Sequence, residues 1–270
     1  MDLKTRNRQP ELMDEPDLDG RIHAEALAGL RRVNRLSRTD AVLWETIRRL
    51  SPPAGRPLTI LDIASGGGDL AIQLARRCAR SGISVEIEGC DISPTAVEYA
   101  GMNARIAGVG NVRFTQRDIL TEAMTPDSYD VVMCTLFLHH LSESDAFRLL
   151  EIMKRAARLA VVVDDLRRTA MGYWMAWLGT RLLTRCHVVH VDGPLSVEGA
   201  FTVDEVQRLA RQAGLENVSI SCHWPQRFLL TSLQEAGVQS TRPTAHTVVP
   251  PPAMHRIASS AKPTRAGDQR

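Results

Sequence analysis

No stretch of the chain approaches the roughly 20 consecutive apolar residues that a membrane-spanning helix requires, so none is expected. Residues 1–20 are polar and charged and lack the apolar core of a secretory leader. A surplus of one charge is missing too. Lys and Arg number 33 against 31 Asp and Glu, a formal net charge of +2, which offers no strong field to nucleic acid or an anionic membrane surface. A small, weakly charged partner is expected instead. The five cysteines, Cys78, Cys90, Cys134, Cys186 and Cys222, contain no Cys-x-x-Cys pair. Four of them sit in apolar or helical runs where a thiol behaves as a small hydrophobe, and a reduced, cytoplasmic location is expected. No internal repeat is present.

A chain of 270 residues can build one α/β domain with a continuous core. After about Glu235 the composition shifts to Ser, Thr, Pro, Ala and Arg, including Pro250-Pro251-Pro252. Such a segment cannot bury enough apolar area to offset its ordering entropy. Residues 236–270 are therefore expected to be a disordered tail and residues 1–20 a flexible N-terminus. This leaves 21–235 as the folded domain, a monomer or homodimer. Leu27, Leu30, Val33 and Leu36, then Val42, Ile47 and Leu50, recur at helical spacing and predict two helices ahead of the core.

From Thr59 onward short apolar runs alternate with amphipathic stretches, the pattern of parallel strands joined by crossover helices. Strands read at 59–63, 84–90, 112–115, 130–134, 159–164, 217–222 and 227–232, and helices at 69–80, 94–107, 143–156 and 203–213. Thr202 and Glu205 stand at capping-box spacing before the last helix, and Gly214 closes it. Only Trp224, Pro225 and their neighbours separate the last two strands, too few for a crossover, so the final strand should return antiparallel. The expected fold is α/β: a seven-stranded, mostly parallel sheet with an antiparallel last strand and helices on both faces. An N-terminal helical extension and a helical insertion over 165–200 complete it.

Residues 61–70 read Leu-Asp-Ile-Ala-Ser-Gly-Gly-Gly-Asp-Leu: an apolar strand runs into three glycines and then directly into a helix. Glycine lets main-chain N–H groups approach a ligand, and the helix that follows presents unsatisfied donors and a positive dipole end. The spacing Gly66-x-Gly68-x-x-Ala71 also fits a dinucleotide fingerprint, which keeps a nicotinamide or flavin oxidoreductase open. Asp62 argues the other way, because a carboxylate inside the strand can hold a cationic amino-acid moiety that a dinucleotide lacks. Asp91 ends the second strand ahead of Ser93-Pro94, an N-cap and first helical residue, where an acid can accept both ribose hydroxyls. Asp118 ends the third strand at the same sheet edge, able to accept from an adenine amino group, with Ile119 placed to cover the ring.

The fourth strand, Tyr129 to Cys134, runs on into Thr135-Leu136-Phe137-Leu138-His139-His140-Leu141. Together with Leu61 to Asp69, Asp91 and Asp118, this stretch resembles the motif series of the Rossmann-fold (class I) S-adenosylmethionine-dependent methyltransferases over about residues 40–235. The Asp-Ile-Ala-Ser-Gly-Gly-Gly-Asp version is similar to the ubiquinone and menaquinone C-methyltransferase branch, in which alanine replaces the usual first glycine. Ser65 and Gly67 stand where that branch commonly has glycine and threonine. The resemblance implies S-adenosylmethionine as cofactor. Asp62, Ala64, Ser65, Gly66 and Gly68 would border its methionine end, Asp91 and Ile92 the ribose, Asp118 and Ile119 the adenine. The main chain of Cys134 and Thr135 would lie near the sulfonium.

On the acceptor side, His139 and His140 follow the strand directly, and an imidazole can take a hydroxyl proton. Packing or cofactor contact is the other role open to them. His190, paired with Asp192, is a further catalytic candidate in the 165–200 insertion, a region that commonly covers the acceptor in such enzymes. Met171, Tyr173 and Trp174 in that insertion, with His187, either line an apolar acceptor pocket or belong to a helix packed on the core. Asp164 and Asp165 invite a metal reading, but adjacent strand side chains point to opposite faces and no matching His or acid spacing appears. No metal is expected. The resulting expectation is methyl transfer to a small hydroxylated aromatic or polyketide-like acceptor, oxygen preferred over carbon. A nicotinamide enzyme and an RNA or protein methyltransferase are the rivals.

Overall fold

The computed structural model describes residues 3–15, 18–50 and 53–234; the expected tail, 236–270, lies outside them. Two helices, α1 (Gly20–Ser37) and α2 (Thr39–Ile47), precede an alternating series. It runs β1 (Leu58–Ile63), α3 (Asp69–Arg80), β2 (Val85–Asp91), α4 (Pro94–Ala107), β3 (Val112–Gln116), β4 (Tyr129–Thr135), α5 (Glu143–Ala156) and β5 (Ala157–Leu166). Then come α6 (Ala170–Leu183), α7 (His187–Gly199), α8 (Val203–Gln212), β6 (Val218–His223) and β7 (Arg227–Leu233). The sheet order is β3-β2-β1-β4-β5-β7-β6. Strands β1 to β5 pair in parallel, and β7 lies antiparallel to both β5 and β6. A doubly wound dinucleotide sheet keeps its sixth strand parallel beside the fifth, so this topology departs from that of the nicotinamide rival.

Local signals set the helix ends. Ser93 Oγ accepts from Ala96 N at 3.2 Å ahead of Pro94, and Gly108, at φ 66°, terminates α4. Thr202 Oγ1 accepts from Glu205 N while Glu205 Oε2 accepts from Thr202 N at 2.8 Å, the reciprocal cap of α8. The central strands are buried on both faces and so read as continuous apolar runs. On β4, Val132 and Cys134 pack with Leu149, Leu150, Val206 and Leu209 of α5 and α8. Val131 and Met133 pack on the other face with Leu43, Ala71 and Leu74 of α2 and α3. At the amino end of the sheet Asp130 accepts from Arg56, Arg158 and Thr59 N. Burial would raise its pKa, but those two guanidiniums outweigh it and hold the carboxyl well below the usual range. The opposite, carboxyl ends of the strands are where a ligand site belongs.

The flexible N-terminus expected from composition is corrected by residues 3–15, which are fastened along α7. Arg6 donates to the carbonyls of Gly199 (2.6 Å), His139 (2.9 Å) and Leu141 (2.7 Å), and its guanidinium lies over the Phe201 ring at 3.7 Å. Leu12 N and Met13 N, in a short 3₁₀ turn (Leu12–Asp14), both donate to the Asp192 carboxylate. The anchors are polar and lie far along the chain, so hydrophobic pattern gave no sign of them.

Candidate functional site

Leaving β1, the backbone reverses through Ala64 (φ 53°), Gly66 (φ 51°) and Gly68 (φ 73°) before α3 begins. Ala64 occupies the left-handed region without being glycine, a strained position of the kind that clusters at ligand sites. The turn is held from below: Ser65 N donates to Cys90 O (3.0 Å), Gly68 N to Ser65 O (2.9 Å), and Asn103 Nδ2 to Gly67 O (2.9 Å). Gly68 is also required by packing, since a Cβ there would stand 2.4 Å from Phe114. Gly66 is different. Its missing Cβ faces only Leu27 Cδ2, at 3.6 Å, so α1 lies over the turn.

Asp62, in the strand before this turn, is 1% exposed, and its Oδ1 has no hydrogen-bond partner. Ser65 Oγ is likewise buried and without a partner. Burial, with the charge of Asp91 adding, pushes the Asp62 carboxyl up to about 8. A buried carboxyl without a partner is costly, and these two orphaned oxygens beside the glycine turn fit the ammonium end of an amino acid. Asp91 accepts from Gly66 N through Oδ2 and from Ser93 N through Oδ1, both at 2.9 Å. Burial raises its pKa against the pull of those two bonds. Each oxygen keeps a second lone pair for a hydroxyl. Asp118 accepts from Leu120 N through Oδ1 at 3.0 Å, next to buried Ile119, while Ile92 is 65% exposed at the tip of β2. The Cys134 side chain is buried in the core, so only its main chain can border a ligand. Thr135 is half-buried, and Leu136, at φ 52°, is pinned by its N–H to Asp164 O at 2.8 Å. The cofactor-side candidates thus come together along one edge.

Beside this edge, at Thr135, the open space is small. A cavity of about 20 Å³, room for about one water, is lined by Thr135, Leu136, Asp69 and Leu70 together with Asn34 and Arg227. Leu27 and His23 of α1 lie over the turn and near Asp91 respectively, and neither was suggested by the sequence.

The acceptor-side candidates are dispersed. His139 is buried in a 3₁₀ turn (Leu138–His140), where its Nδ1–H donates to Asp165 Oδ1 at 2.6 Å. His140 Nδ1 lies 2.8 Å from Asp14 Oδ2. Burial would lower the pKa of His140, but Asp14, Glu11 and Asp165 outweigh it and bring it to about 9. The expected pairing of His190 with Asp192 is not formed. Their side chains leave α7 in different directions, His190 Nε2 reaching Thr184 O at 2.8 Å while Asp192 holds the N-terminal turn. Met171 and Trp174 are exposed on α6, Tyr173 is half-buried edge-on to Trp174, and His187 is exposed at the start of α7. None of the four lines the cavity. The sequence missed Glu11 and Asp14, which belong to the segment read as flexible.

A family model described as a methyltransferase domain matches residues 55–214. The ubiquinone biosynthesis O-methyltransferase of Cupriavidus pinatubonensis is 28% identical over 169 residues, 60% of this chain and 61% of that protein. The ubiquinone/menaquinone biosynthesis C-methyltransferase of Idiomarina loihiensis is 30% identical over 123 residues, 44% of this chain and 48% of that one. The chain therefore spans about half to three-fifths of the length of these relatives. The crystal structure of a SAM-dependent methyltransferase from Aquifex aeolicus aligns with a TM-score of 0.57 at 18% identity, covering 78% of this chain and 97% of that one. With more than half of the chain matched by the family model, and with this sheet order and glycine turn, the chain belongs to the class I S-adenosylmethionine-dependent methyltransferase family.

Proposed function

We propose that the protein transfers a methyl group from S-adenosylmethionine to a hydroxyl oxygen of a small aromatic or polyketide-like acceptor. The observation that carries the cofactor half is the buried, unpartnered Oδ1 of Asp62 beside the left-handed turn at Gly66. Asp62, Ser65 and the main chain of Ala64, Gly66 and Gly68 would hold the methionine end, Asp91 the ribose hydroxyls, and Asp118 with Ile119 the adenine. When bound, the cofactor supplies an electrophilic methyl group on sulfur. The work left to the chain is alignment of the acceptor atom near 3 Å from that methyl, a positioning effect that can supply most of the rate.

No base is required of the three histidines in this reading. Against burial, Asp14, Glu11 and Asp165 favour the protonated form of His140 and raise its pKa to about 9. His139 is bonded through Nδ1 to Asp165, which leaves its Nε2 as the acceptor nitrogen, and His190 is bonded through Nε2 to Thr184 O. A phenolic acceptor, with a pKa of about 10, can release its proton to solvent without a dedicated base. Likeness to the O-methyltransferase relative supports oxygen as the acceptor atom; likeness to the C-methyltransferase supports carbon as the second reading. A reduced cytoplasmic location belongs to the same reading, supported by four buried free thiols, Cys78, Cys90, Cys134 and Cys186.

The test is incubation with ¹³C-methyl-labelled cofactor and a panel of phenols, catechols and hydroxyquinones. One labelled methyl per product, with the carbon shift of a methyl ether, is expected. An aryl-methyl shift would move the assignment to carbon. Absence of any methylated product, with no calorimetric heat on adding S-adenosylhomocysteine, would overturn the cofactor reading itself.

A further inference from the structure

Glu11, His139 and His140 offer three ligand atoms that all lie within 4.8 Å of one another, and the geometry around them points to a divalent transition-metal site. We propose that Nε2 of His139, Nε2 of His140 and the carboxylate of Glu11 bind one zinc-class ion. Such an ion would join the N-terminal segment to the end of β4.

Both imidazoles are turned the same way. The Nδ1 of His139 is held by Asp165 at 2.6 Å and that of His140 by Asp14 at 2.8 Å. This leaves both Nε2 atoms facing the single carboxylate of Glu11. A carboxylate behind the distal ring nitrogen is the arrangement that fixes the tautomer and orientation of metal-binding histidines. Glu11 is supported as well, since Ser196 Oγ donates to its Oε1 at 2.6 Å.

The distances decide between a hydrogen-bonded cluster and a chelate. His139 Nε2 lies 3.6 Å from Glu11 Oε1, and His140 Nε2 lies 3.8 Å from Oε2. Both exceed the roughly 3.2 Å limit of a good N–H···O bond. Tetrahedral zinc bonds of about 2.0–2.1 Å place ligand atoms about 3.3 Å apart, so the two N···O pairs need contractions of up to about half an ångström, and no pair in the set starts more than 4.8 Å apart. The two rings are already side by side, with centroids 4.3 Å apart. Glu11 is 8% exposed and His139 4% exposed, while His140 is half-buried, so the set lies at the edge of the interior with one open side. Two imidazoles and one carboxylate suit zinc or cobalt, whereas magnesium and calcium favour all-oxygen sets. Three protein ligands leave a fourth position for solvent.

Sequence spacing gave no hint of this, because Glu11 stands 128 residues before His139 (139 − 11). The expectation of no metal rested on Asp164 and Asp165 as ligands; Asp165 instead sits behind His139.

The site is tested on the untagged full chain, stripped with a chelator and titrated with zinc by calorimetry, with metal content read by plasma mass spectrometry. Binding of one zinc per chain at micromolar affinity or tighter is expected, with visible absorption of tetrahedral geometry on cobalt substitution and no response to magnesium. Glu11→Gln, which keeps shape and the Ser196 bond, and His140→Ala should each weaken zinc by roughly tenfold or more, with folding checked by circular dichroism. Should His140→Ala fail to fold, Glu11→Gln decides. A wild-type chain that takes up no zinc at millimolar concentration, or one whose affinity is unchanged in Glu11→Gln, overturns the assignment. Because the readout is metal content, the outcome is independent of whether an acceptor is methylated.

Discussion

Replacing Asp62 with asparagine should stabilise the protein in alkali while removing its hold on the cofactor. The carboxyl is buried, its Oδ1 is without a partner, and its pKa stands at about 8 against an ordinary 3.8. Below the ordinary value the group is protonated in folded and unfolded chains alike, and the substitution changes only packing. Between the two values the unfolded chain releases this proton while the folded chain keeps it, so wild-type stability falls as pH rises. Above about 8 that loss is complete. Each tenfold step in proton affinity corresponds to about 1.4 kcal/mol, which over the shift from 3.8 to about 8 sets a ceiling on the order of 6 kcal/mol. Relaxation around a buried polar group brings the expected difference to roughly 1–3 kcal/mol. The asparagine amide has its own burial cost, but that cost is the same at every pH, so the slope is the diagnostic. Urea unfolding of both proteins from about pH 5 to about pH 8 should show the variant gaining on wild type throughout that range. Calorimetry with S-adenosylhomocysteine should show a loss of about 2–4 kcal/mol, roughly 30- to 1000-fold in Kd. A stability difference that stays flat across pH, or undiminished binding, would refute the argument.

Gly68→Ala should destabilise the fold by about 2 kcal/mol or more, since its Cβ would meet Phe114 at 2.4 Å on a left-handed backbone. Gly101→Ala, in the interior of α4 with nothing within 4 Å of its added Cβ, should stabilise it by about 0.5–1 kcal/mol; paired melting curves check both. Asp91→Ala strips the acceptors of Gly66 N and Ser93 N and should cost about 1–3 kcal/mol of stability along with adenosyl affinity, read by unfolding and calorimetry. Arg6→Ala removes three bonds to carbonyls and the stacking on Phe201, and should make residues 3–15 cleavable by a limiting protease while the rest of the domain resists.

The sheet was legible because its information is local. Helices α3, α4 and α5 begin and end where the caps and apolar period place them, and the short link between β6 and β7 dictated the antiparallel return. The placing of Asp62, Gly66, Asp91 and Asp118 was legible for a related reason: each lies at or just beyond the carboxyl end of β1, β2 or β3, and the tips of neighbouring parallel strands necessarily meet. The acceptor side was not. Leu27 over Gly66, Asp14 behind His140 and Asp192 under Leu12 are contacts between segments far apart in the chain, and no local pattern says which distant partner each side chain meets. His190 and Asp192 looked like a pair because they are two positions apart, and a helix sends such side chains in different directions.

The clasp formed by residues 6–13 has a consequence for biosynthesis. Its receivers, the carbonyls of His139, Leu141 and Gly199 and the carboxylate of Asp192, leave the ribosome long after the clasp does. The clasp therefore cannot be completed until translation has passed Gly199, near the end of domain synthesis. A nascent chain halted before that point would lack the Gly199 and Asp192 receivers, leaving residues 6–13 incompletely fastened and open to chaperones or proteases that survey unfinished proteins.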